Sequence, residues 1–221
     1  MSFTNLDAAL REKLLKVRLV VTDVDGVHTD DKVFISVVPE ETKIAFVLEQ
    51  AGATRRLVSC DENGVPNDSF LQLSVGTDRI EGYRFFTGDG IVVKHCLRHD
   101  IPVVLISGRR SPAVLQRATD LGARCLQGIV DKVAAVEEIL KELGLSWEQV
   151  LFIGNDIQDI SLLRHAGFSA VPQDAAEETR EHSHYVATKK GGDGVVREVL
   201  KMLLDAKGLW DPIIARQRTL G

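Results

Sequence analysis

Four short groups of polar residues follow apolar runs in this sequence, and their side chains are of types that take part in catalysis. In chain order they are Asp23-Val24-Asp25-Gly26, Ser107-Gly108-Arg109, Lys132, and the hexapeptide GNDIQD at residues 154–159. A carboxylate at the end of a buried strand needs a cation or several hydrogen-bond donors, because an isolated buried charge is costly. The four groups are therefore candidates for one site, provided that the fold brings them together.

The elements between these groups predict an α/β fold. An amphipathic N-terminal helix precedes RLVVTDV, which is short and continuously apolar, as a fully buried strand is. Beyond residue 90, apolar runs alternate with helix-like stretches, for example IPVVLIS and then SPAVLQRATDLG. This alternation indicates right-handed crossovers and a doubly wound, mostly parallel sheet with helices on both faces. Ligands bind at the carboxyl edge of such a sheet, where all four groups are predicted to lie.

Residues 32–86 interrupt this rhythm. The runs KVFISVV, TKIAFVLEQ, TRRLVSC and DSFLQLSV resemble short strands, and turn-rich sequence such as DENGVPND separates them. They predict a β-hairpin-rich insertion after the first strand. We expect residues 1–221 to form a single domain in which 32–86 is a flap or an oligomer contact. The tail, 207–221, is expected either to pack on a neighbouring subunit or to fray.

Each polar group also has a simpler structural explanation. The DxDG sequence could be an ordinary turn. Ser107 could cap the next helix, or could join free backbone N–H groups in holding an anion. A lysine in a first helical turn, such as Lys132, is usually solvated, although a cation there opposes the helix dipole. Asn155 or Asp156 could cap a helix, but GNDIQD has more carboxylate and amide groups than one cap needs, and such oxygen ligands suit Mg²⁺.

Taken together, the groups predict phosphoryl transfer. A Mg²⁺ ion between the first and fourth groups would offset the like charges of Asp23 and Asp25. One carboxylate could then act as a nucleophile and form an aspartyl-phosphate, and the aspartate two residues later could act as general acid and then as general base. The phosphoryl oxygens would be held by Lys132 and by residues 107–109, that is, Ser107, Gly108 and Arg109. We therefore expect a Mg²⁺-dependent phosphomonoesterase for a small phosphorylated metabolite. A mutase stays open until phosphate release is tested.

The ordered motifs DxDG, SGR, K and GNDxxD resemble the haloacid dehalogenase (HAD) superfamily of phosphotransferases. The segments TDVDGVHTD, QGIVDK, IGNDIQDISLLRHAGFSAVPQDA and GGDGVVREV further resemble its cap-less sugar-acid phosphatase branch. That branch includes 3-deoxy-D-manno-octulosonate-8-phosphate phosphatases, nonulosonate-9-phosphate phosphatases and the C-terminal module of acylneuraminate cytidylyltransferases. The resemblance covers residues 17–30 and 85–206.

This resemblance implies a HAD-like fold and a role for each candidate residue. Asp23 would be the nucleophile, and Asp25 the acid and base, with a backbone carbonyl that also contacts Mg²⁺. Asn155 or Asp156 would complete the metal ligands alongside these two aspartates. Asp159 would contact these ligands without binding the metal itself. The implied substrate is a sugar-acid (ulosonate) phosphate, and the implied assembly is a homo-oligomer, with a tetramer favoured.

Several positions depart from the branch. The 32–86 insertion is longer than the usual hairpin, Gly88 stands where octulosonate phosphatases typically have arginine, and His28 replaces a common leucine. Many relatives have aspartate where this chain has Asn155. A catalytically weak or inactive HAD-scaffold module for oligomerisation or regulation therefore stays open as an alternative.

Composition excludes some classes of partner. A net charge of −5 and a pI near 5.7 disfavour nucleic acid and anionic membranes. The three cysteines, odd in number and far apart, are typical of free thiols in a reducing compartment. No signal-peptide stretch or apolar run of spanning length stands out, so we expect a cytoplasmic protein.

Overall fold

The structure is a computed structural model that describes residues 7–31, 33–37, 55–60, 66–75 and 79–219. Its main sheet has six strands, which are, in spatial order, β10 (Tyr185–Val186), β9 (Phe168–Val171), β8 (Val150–Ile153), β1 (Leu19–Thr22), β6 (Val103–Ser107) and β7 (Arg124–Gln127). Every pairing in this sheet is parallel. The predicted parallel α/β architecture is confirmed.

Two apolar cores cover the two faces of this sheet. Side chains alternate across a strand, so in β1 Val20 joins one core while Leu19 and Val21 join the other. The first core includes residues of α1 (Ala8–Lys16), α2 (Thr87–Arg98), α3 (Pro112–Leu121) and α7 (Val195–Ala206). The second includes residues of α4 (Lys132–Leu143) and α5 (Ile160–His165). Among the helices of the described ranges, none is long and apolar enough to cross a membrane.

A second, antiparallel sheet precedes α2. Its strands are, in spatial order, β2 (Val33–Val37), β5 (Arg79–Phe86), β4 (Pro66–Val75) and β3 (Arg55–Cys60). Three of the strand-like runs overlap β2, β3 and β4, whereas TKIAFVLEQ lies outside the described residues. β5 was not predicted from the sequence. Glu81 lies on the buried side of this strand, so the alternation of apolar and polar residues that predicts a strand is interrupted.

The helical boundaries differ from prediction in three places. The run GIVVKHCLRHD predicts a helix from residue 90, but α2 begins three residues earlier, at Thr87. The run DAAEETREH predicts a helix over 174–182, of which the structure has the single turn α6 (Glu177–Arg180). In the tail, α8 (Trp210–Thr219) carries Trp210 and Ile213 into the first core, where each is 8% exposed. The described part of the tail therefore packs on its own chain, where we expected a frayed end or a contact with a neighbouring subunit.

Candidate active site

Lys132 joins two buried carboxylates at the carboxyl edge of the parallel sheet. Its Nζ donates to Asp23 Oδ1 and to Asp159 Oδ1, each at 2.7 Å. The side chains of Lys132, Asp23 and Asp159 are 6%, 3% and 0% exposed. The explanation of Lys132 as a solvated lysine is therefore wrong. Its ammonium group compensates two charges that would be strongly destabilising alone, because removing one partner of a buried ion pair leaves the other uncompensated.

Ser107 turns its hydroxyl toward Asp25 at the end of β6. The Ser107 Oγ donates to Asp25 Oδ2 at 3.3 Å and accepts from the Arg109 backbone N–H at 3.1 Å. The residue that caps α3 is Ser111, whose side chain accepts from the Val114 N–H. The helix-cap explanation of Ser107 is therefore wrong. Gly108 and Arg109 follow it as an exposed loop beside the same carboxylate.

The fourth polar group divides into residues that face the cluster and one that does not. Asp159 Oδ2 accepts from the Asn155 backbone N–H at 2.9 Å, so one oxygen of Asp159 holds this turn while the other binds Lys132. The Asn155 side-chain amide lies 3.2 Å from Asp23 Oδ2 and 2.9 Å from the Asp25 backbone carbonyl oxygen. Asp156 is exposed, and its carboxylate accepts from the Ile157 N–H at 2.7 Å, as a helix cap does. The geometry thus brings Asn155 to the aspartate pair and leaves Asp156 outside.

These oxygen atoms fit a small divalent cation. Mg²⁺ binds oxygen at about 2.0–2.1 Å in octahedral geometry, which puts adjacent ligands about 3 Å apart. The contacts of the Asn155 amide at 2.9 and 3.2 Å match that spacing. If the Asn155 amide turns its oxygen toward Asp23 and Asp25, three hydrogen-bond acceptors face one another and need a cation between them. If the amide turns its nitrogen there instead, its NH₂ group donates to both aspartates. Within the described residues, no three His, Cys, Asp or Glu side chains form a metal cluster. A metal here would therefore need amide and carbonyl oxygens.

The surroundings of the two strand-end aspartates raise the pKa of both. Burial raises the pKa of Asp23 to about 7, and Asp159 adds to this rise while Lys132 opposes it. Burial also raises the pKa of Asp25, against a lowering effect of Arg109. A cation bound beside them would favour the ionised forms of both. A raised pKa brings a carboxyl group closer to the range in which general acids and bases work.

Three glycines shape the loop that follows β1, and two of them, Gly191 and Gly192, were not assigned to the site from sequence. Gly26 has φ +72°, and a Cβ on it would lie 2.1 Å from Asn155 Nδ2. Gly191 packs on the other side of this loop, where a Cβ would lie 2.1 Å from the Gly26 carbonyl oxygen. The motif GGDGVVREV therefore packs closely on the backbone of the aspartate loop, which its glycines permit because they lack a Cβ. The two adjacent glycines of this motif are the feature of the sequence that could have indicated this close approach.

Comparison with known proteins agrees with this geometry. Residues 124–199 match the family model described as haloacid dehalogenase-like hydrolase. The 3-deoxy-D-manno-octulosonate 8-phosphate phosphatase of Yersinia pestis is 36% identical over 159 residues, which are 72% of this chain and 84% of that protein.

Solved structures show the same similarity. The 3-deoxy-D-manno-octulosonate 8-phosphate phosphatase of Moraxella catarrhalis, in complex with magnesium ion, phosphate ion and KDO, has a TM-score of 0.70 at 27% identity. That match covers 94% of this chain and 97% of the other. The cobalt-bound phosphatase of Haemophilus influenzae has a TM-score of 0.67 at 27% identity, covering 95% and 99%. The chain belongs to the haloacid dehalogenase-like hydrolases, in the family of the 3-deoxy-D-manno-octulosonate 8-phosphate phosphatases, and is a phosphatase that hydrolyses phosphoric monoesters.

Proposed function

We propose that this phosphatase is Mg²⁺-dependent, acts on a small sugar-acid (ulosonate) phosphate and works through an aspartyl-phosphate. One observation carries the proposal: Lys132 is buried between Asp23 and Asp159, beside the point where the Asn155 side-chain amide meets Asp23 Oδ2 and the Asp25 carbonyl oxygen. A buried carboxylate with a cation bound to one of its oxygens is suited to act as a nucleophile.

Asp23 and Asp25 divide the reaction into two balanced steps. In the first, an Asp23 oxygen attacks phosphorus, the bond from phosphorus to the leaving oxygen breaks, and Asp25 gives that oxygen its proton. In the second, Asp25 takes a proton from water as the water oxygen attacks phosphorus, and the bond to Asp23 breaks. Inorganic phosphate leaves, and both aspartates return to their starting states.

The surrounding side chains hold the phosphoryl group and offset its charge. Lys132, already bound to Asp23, offers a third N–H to a phosphoryl oxygen, since an ammonium group has three donors. Ser107 and the Gly108 backbone bind a second oxygen, and Arg109 approaches from the exposed side. Mg²⁺ bound by Asp23, the Asp25 carbonyl and Asn155 would supply charge neutralisation and orientation of the phosphoryl oxygens.

The substrate class rests on the named relatives. Their names specify an octulosonate 8-phosphate, and the Moraxella protein was solved with KDO and phosphate. Gly88 at the position where we expect arginine in those enzymes argues for a related ulosonate rather than the same one.

The architecture of the whole chain is part of this proposal. We propose one domain over 1–221, with 32–86 as an insertion that contacts the substrate side or a second subunit, and a homotetramer as the assembly. Light scattering coupled to size exclusion measures the subunit number directly. A monomer at working concentrations would contradict the assembly and leave the chemistry untouched.

The function is tested by a phosphate-release screen. The purified chain with Mg²⁺ is offered sugar-acid phosphates, nucleotides and small phosphoesters, and Asp23→Asn serves as the matched control because it removes a charge at nearly constant shape. We expect fastest release from an eight- or nine-carbon ulosonate phosphate and none from the Asp23→Asn variant. Equal rates in both proteins would refute the mechanism. Absence of release from every compound would instead favour a weak or inactive scaffold.

A further inference from the structure

Arg84 links the antiparallel sheet to two loops at the carboxyl edge of the parallel sheet. It lies near the end of β5, and its Nε donates to Asp30 Oδ2 at 3.3 Å. Its Nη2 donates to Asp193 Oδ1 at 2.9 Å. Asp30 belongs to the aspartate loop, residues 23–31, and Asp193 belongs to the glycine loop, residues 188–194. One guanidinium group therefore holds both loops from the side of the insertion.

The two loops also contact each other through their backbones. The Gly192 N–H donates to the Val27 carbonyl oxygen at 3.0 Å, and a Cβ on Gly192 would lie 2.4 Å from the Asp30 backbone nitrogen. The carboxylates of Asp30 and Asp193 meet at the same guanidinium group, and these like charges would repel each other without it. Arg84 therefore stabilises a contact that depends on a close backbone fit.

The aspartate loop connects this contact to Asp25. The loop is a tight turn in which the His28 N–H donates to the Val24 carbonyl oxygen at 2.9 Å. Asp25 lies inside this turn, and its own carbonyl oxygen is 2.9 Å from the Asn155 amide. Because the hydrogen bond across the turn makes its residues move together, a shift at Asp30 would displace Asp25 relative to Asn155.

Arg84 also lies close to the points where the chain enters and leaves the antiparallel sheet. β2 begins at Val33, shortly after the aspartate loop, and pairs with β5 so that Val33 is opposite Tyr83. α2 begins at Thr87, shortly after Arg84. The ion pairs of Arg84 therefore join the base of this sheet to the loops of the active site.

We propose that Arg84 is a positioning residue that holds the aspartate loop, so that Asp25 keeps its place beside Asp23 and Asn155. This inference rests on the proposed function, because Arg84 would act on phosphoryl transfer through Asp25. Arg84 belongs to none of the four sequence motifs.

The exposure of these ion pairs indicates where their loss should be felt. The side chains of Arg84, Asp30 and Asp193 are 40%, 17% and 49% exposed. Ion pairs with this exposure add little to the free energy of unfolding, because water and salt screen them. We therefore expect the loss of Arg84 to change turnover more than global stability.

Arg84→Gln is the first variant, because glutamine keeps a polar side chain and removes the charge. Arg84→Lys keeps the charge but loses the planar fork that serves two carboxylates at once, so it should recover part of the loss. Arg124→Gln is the matched control, since Arg124 forms an ion pair of similar exposure with Glu142 at 2.7 Å. Arg124 begins β7, so this pair lies at the amino edge of the parallel sheet, opposite the active site.

Two measurements are made on each variant. Hydrogen–deuterium exchange with mass spectrometry reports the opening of the aspartate loop, whose hydrogen-bonded amides exchange when it opens. Steady-state hydrolysis of p-nitrophenyl phosphate with Mg²⁺ gives kcat and KM. We expect Arg84→Gln to speed exchange in residues 23–31 and to lower kcat about fivefold. KM should stay nearly constant, because Ser107 and Lys132, which we propose to bind the phosphate, lie on other segments.

A double-mutant cycle with Asp193→Asn checks that the effect passes through the ion pair. In the Asp193→Asn background the contact of Arg84 with Asp30 remains, so Arg84→Gln should lower kcat by a further factor of only about two. Arg84→Lys should lie between the wild type and Arg84→Gln. Arg124→Gln should match the wild type in both measurements.

The outcomes separate this inference from the proposed function. If Asp23→Asn abolishes turnover while Arg84→Gln changes neither exchange nor kcat, the inference is overturned and the function stands. The inference is also overturned if Arg84→Gln lowers kcat equally with and without Asp193, raises KM alone, or speeds exchange over the whole chain. If the wild-type protein releases phosphate from no ester, the function fails. Exchange in residues 23–31 then decides alone whether Arg84 holds the loop.

Discussion

Replacing Asn155 with aspartate tests the inferred cation site most directly. The Asn155 amide lies 3.2 Å from Asp23 Oδ2 and 2.9 Å from the Asp25 carbonyl oxygen, so in the metal-free protein its NH₂ group can donate to both. A carboxylate at position 155 has no proton to donate and adds a negative charge. Without a cation the variant should be less stable than the wild type, and with Mg²⁺ it should gain more.

The size of the effect follows from the distances. Two carboxylate charges about 4 Å apart repel by about 4 kcal/mol at an effective dielectric constant near 20. Protonation of one group relieves part of this, because the pKa of Asp23 is already raised to about 7 by burial. Well above that pH we expect Asn155→Asp to lower the free energy of unfolding of the metal-free protein by about 2–4 kcal/mol. The added ligand charge should lower the Kd for Mg²⁺ at least tenfold, which returns about 1.4 kcal/mol when Mg²⁺ is saturating.

Urea unfolding in the presence of chelator or of excess Mg²⁺, together with calorimetric titration of Mg²⁺, measures both quantities. Asp156→Asn is the matched control, because it makes the reverse change at the next residue and asparagine still caps a helix. It should leave the Kd for Mg²⁺ and the stability nearly unchanged, since Asp156 faces away from the cluster. An Asn155→Asp protein that binds Mg²⁺ no more tightly than the wild type, or an Asp156→Asn protein that loses Mg²⁺ binding, would refute the assignment.

Three further changes give distinct expectations. Lys132→Met should lower the free energy of unfolding by about 3–5 kcal/mol in metal-free protein, measured by urea titration, because two buried carboxylates lose their shared cation; a loss near zero would contradict the buried triad. Burial lowers the pKa of His28 from 6.5 to about 3, so the unfolded chain binds a proton that the folded one refuses, and stability falls as pH falls below 6.5. Between pH 6.5 and about pH 5, the free energy of unfolding of the wild type should fall by about 2 kcal/mol more than that of a His28→Leu variant. Equal losses in the two proteins would contradict the lowered pKa of His28. Gly26→Ala and Gly144→Ala both strain a left-handed backbone, but only the first crowds Asn155, so both should lower the melting temperature while only Gly26→Ala weakens Mg²⁺ binding.

The parallel sheet was predictable because its signals are local. β1, β6 and β8 are short apolar runs, and each is followed at once by the polar residues of one motif. Parallel strands place those ends at one edge, so topology predicts that Asp23, Ser107 and Asn155 lie near one another, whereas Lys132 begins α4, after β7. The cap of α3 by Ser111 could equally have been Ser107 from sequence, and only the coordinates separate the two serines.

The features that the sequence did not predict depend on contacts between segments that are far apart in the chain. β5 escaped prediction because Glu81 occupies a buried position, which reads as polar and solvent-facing until its partner Ser111 is known. The turn after β8 closes on Asp159, and this decides which of Asn155 and Asp156 faces the aspartate pair. The sequence does not show which one it is, because the two neighbouring residues have similar chemistry. The packing of Trp210 into the first core likewise requires α7 as a template.

The charge balance of the cluster links these observations to a divalent cation. Lys132 pairs with the carboxylates of Asp23 and Asp159, and the carboxylate of Asp25 lies nearby, hydrogen-bonded to Ser107. When all are ionised the group lacks two positive charges, which is the charge of Mg²⁺. In the metal-free protein burial is the main cause of the raised pKa values of Asp23 and Asp25, and the charge of Asp159 adds to the rise at Asp23. A divalent cation held there would make the cluster neutral, so that a phosphate dianion could bind without net repulsion, and the guanidinium group of Arg109 on the exposed loop would add attraction.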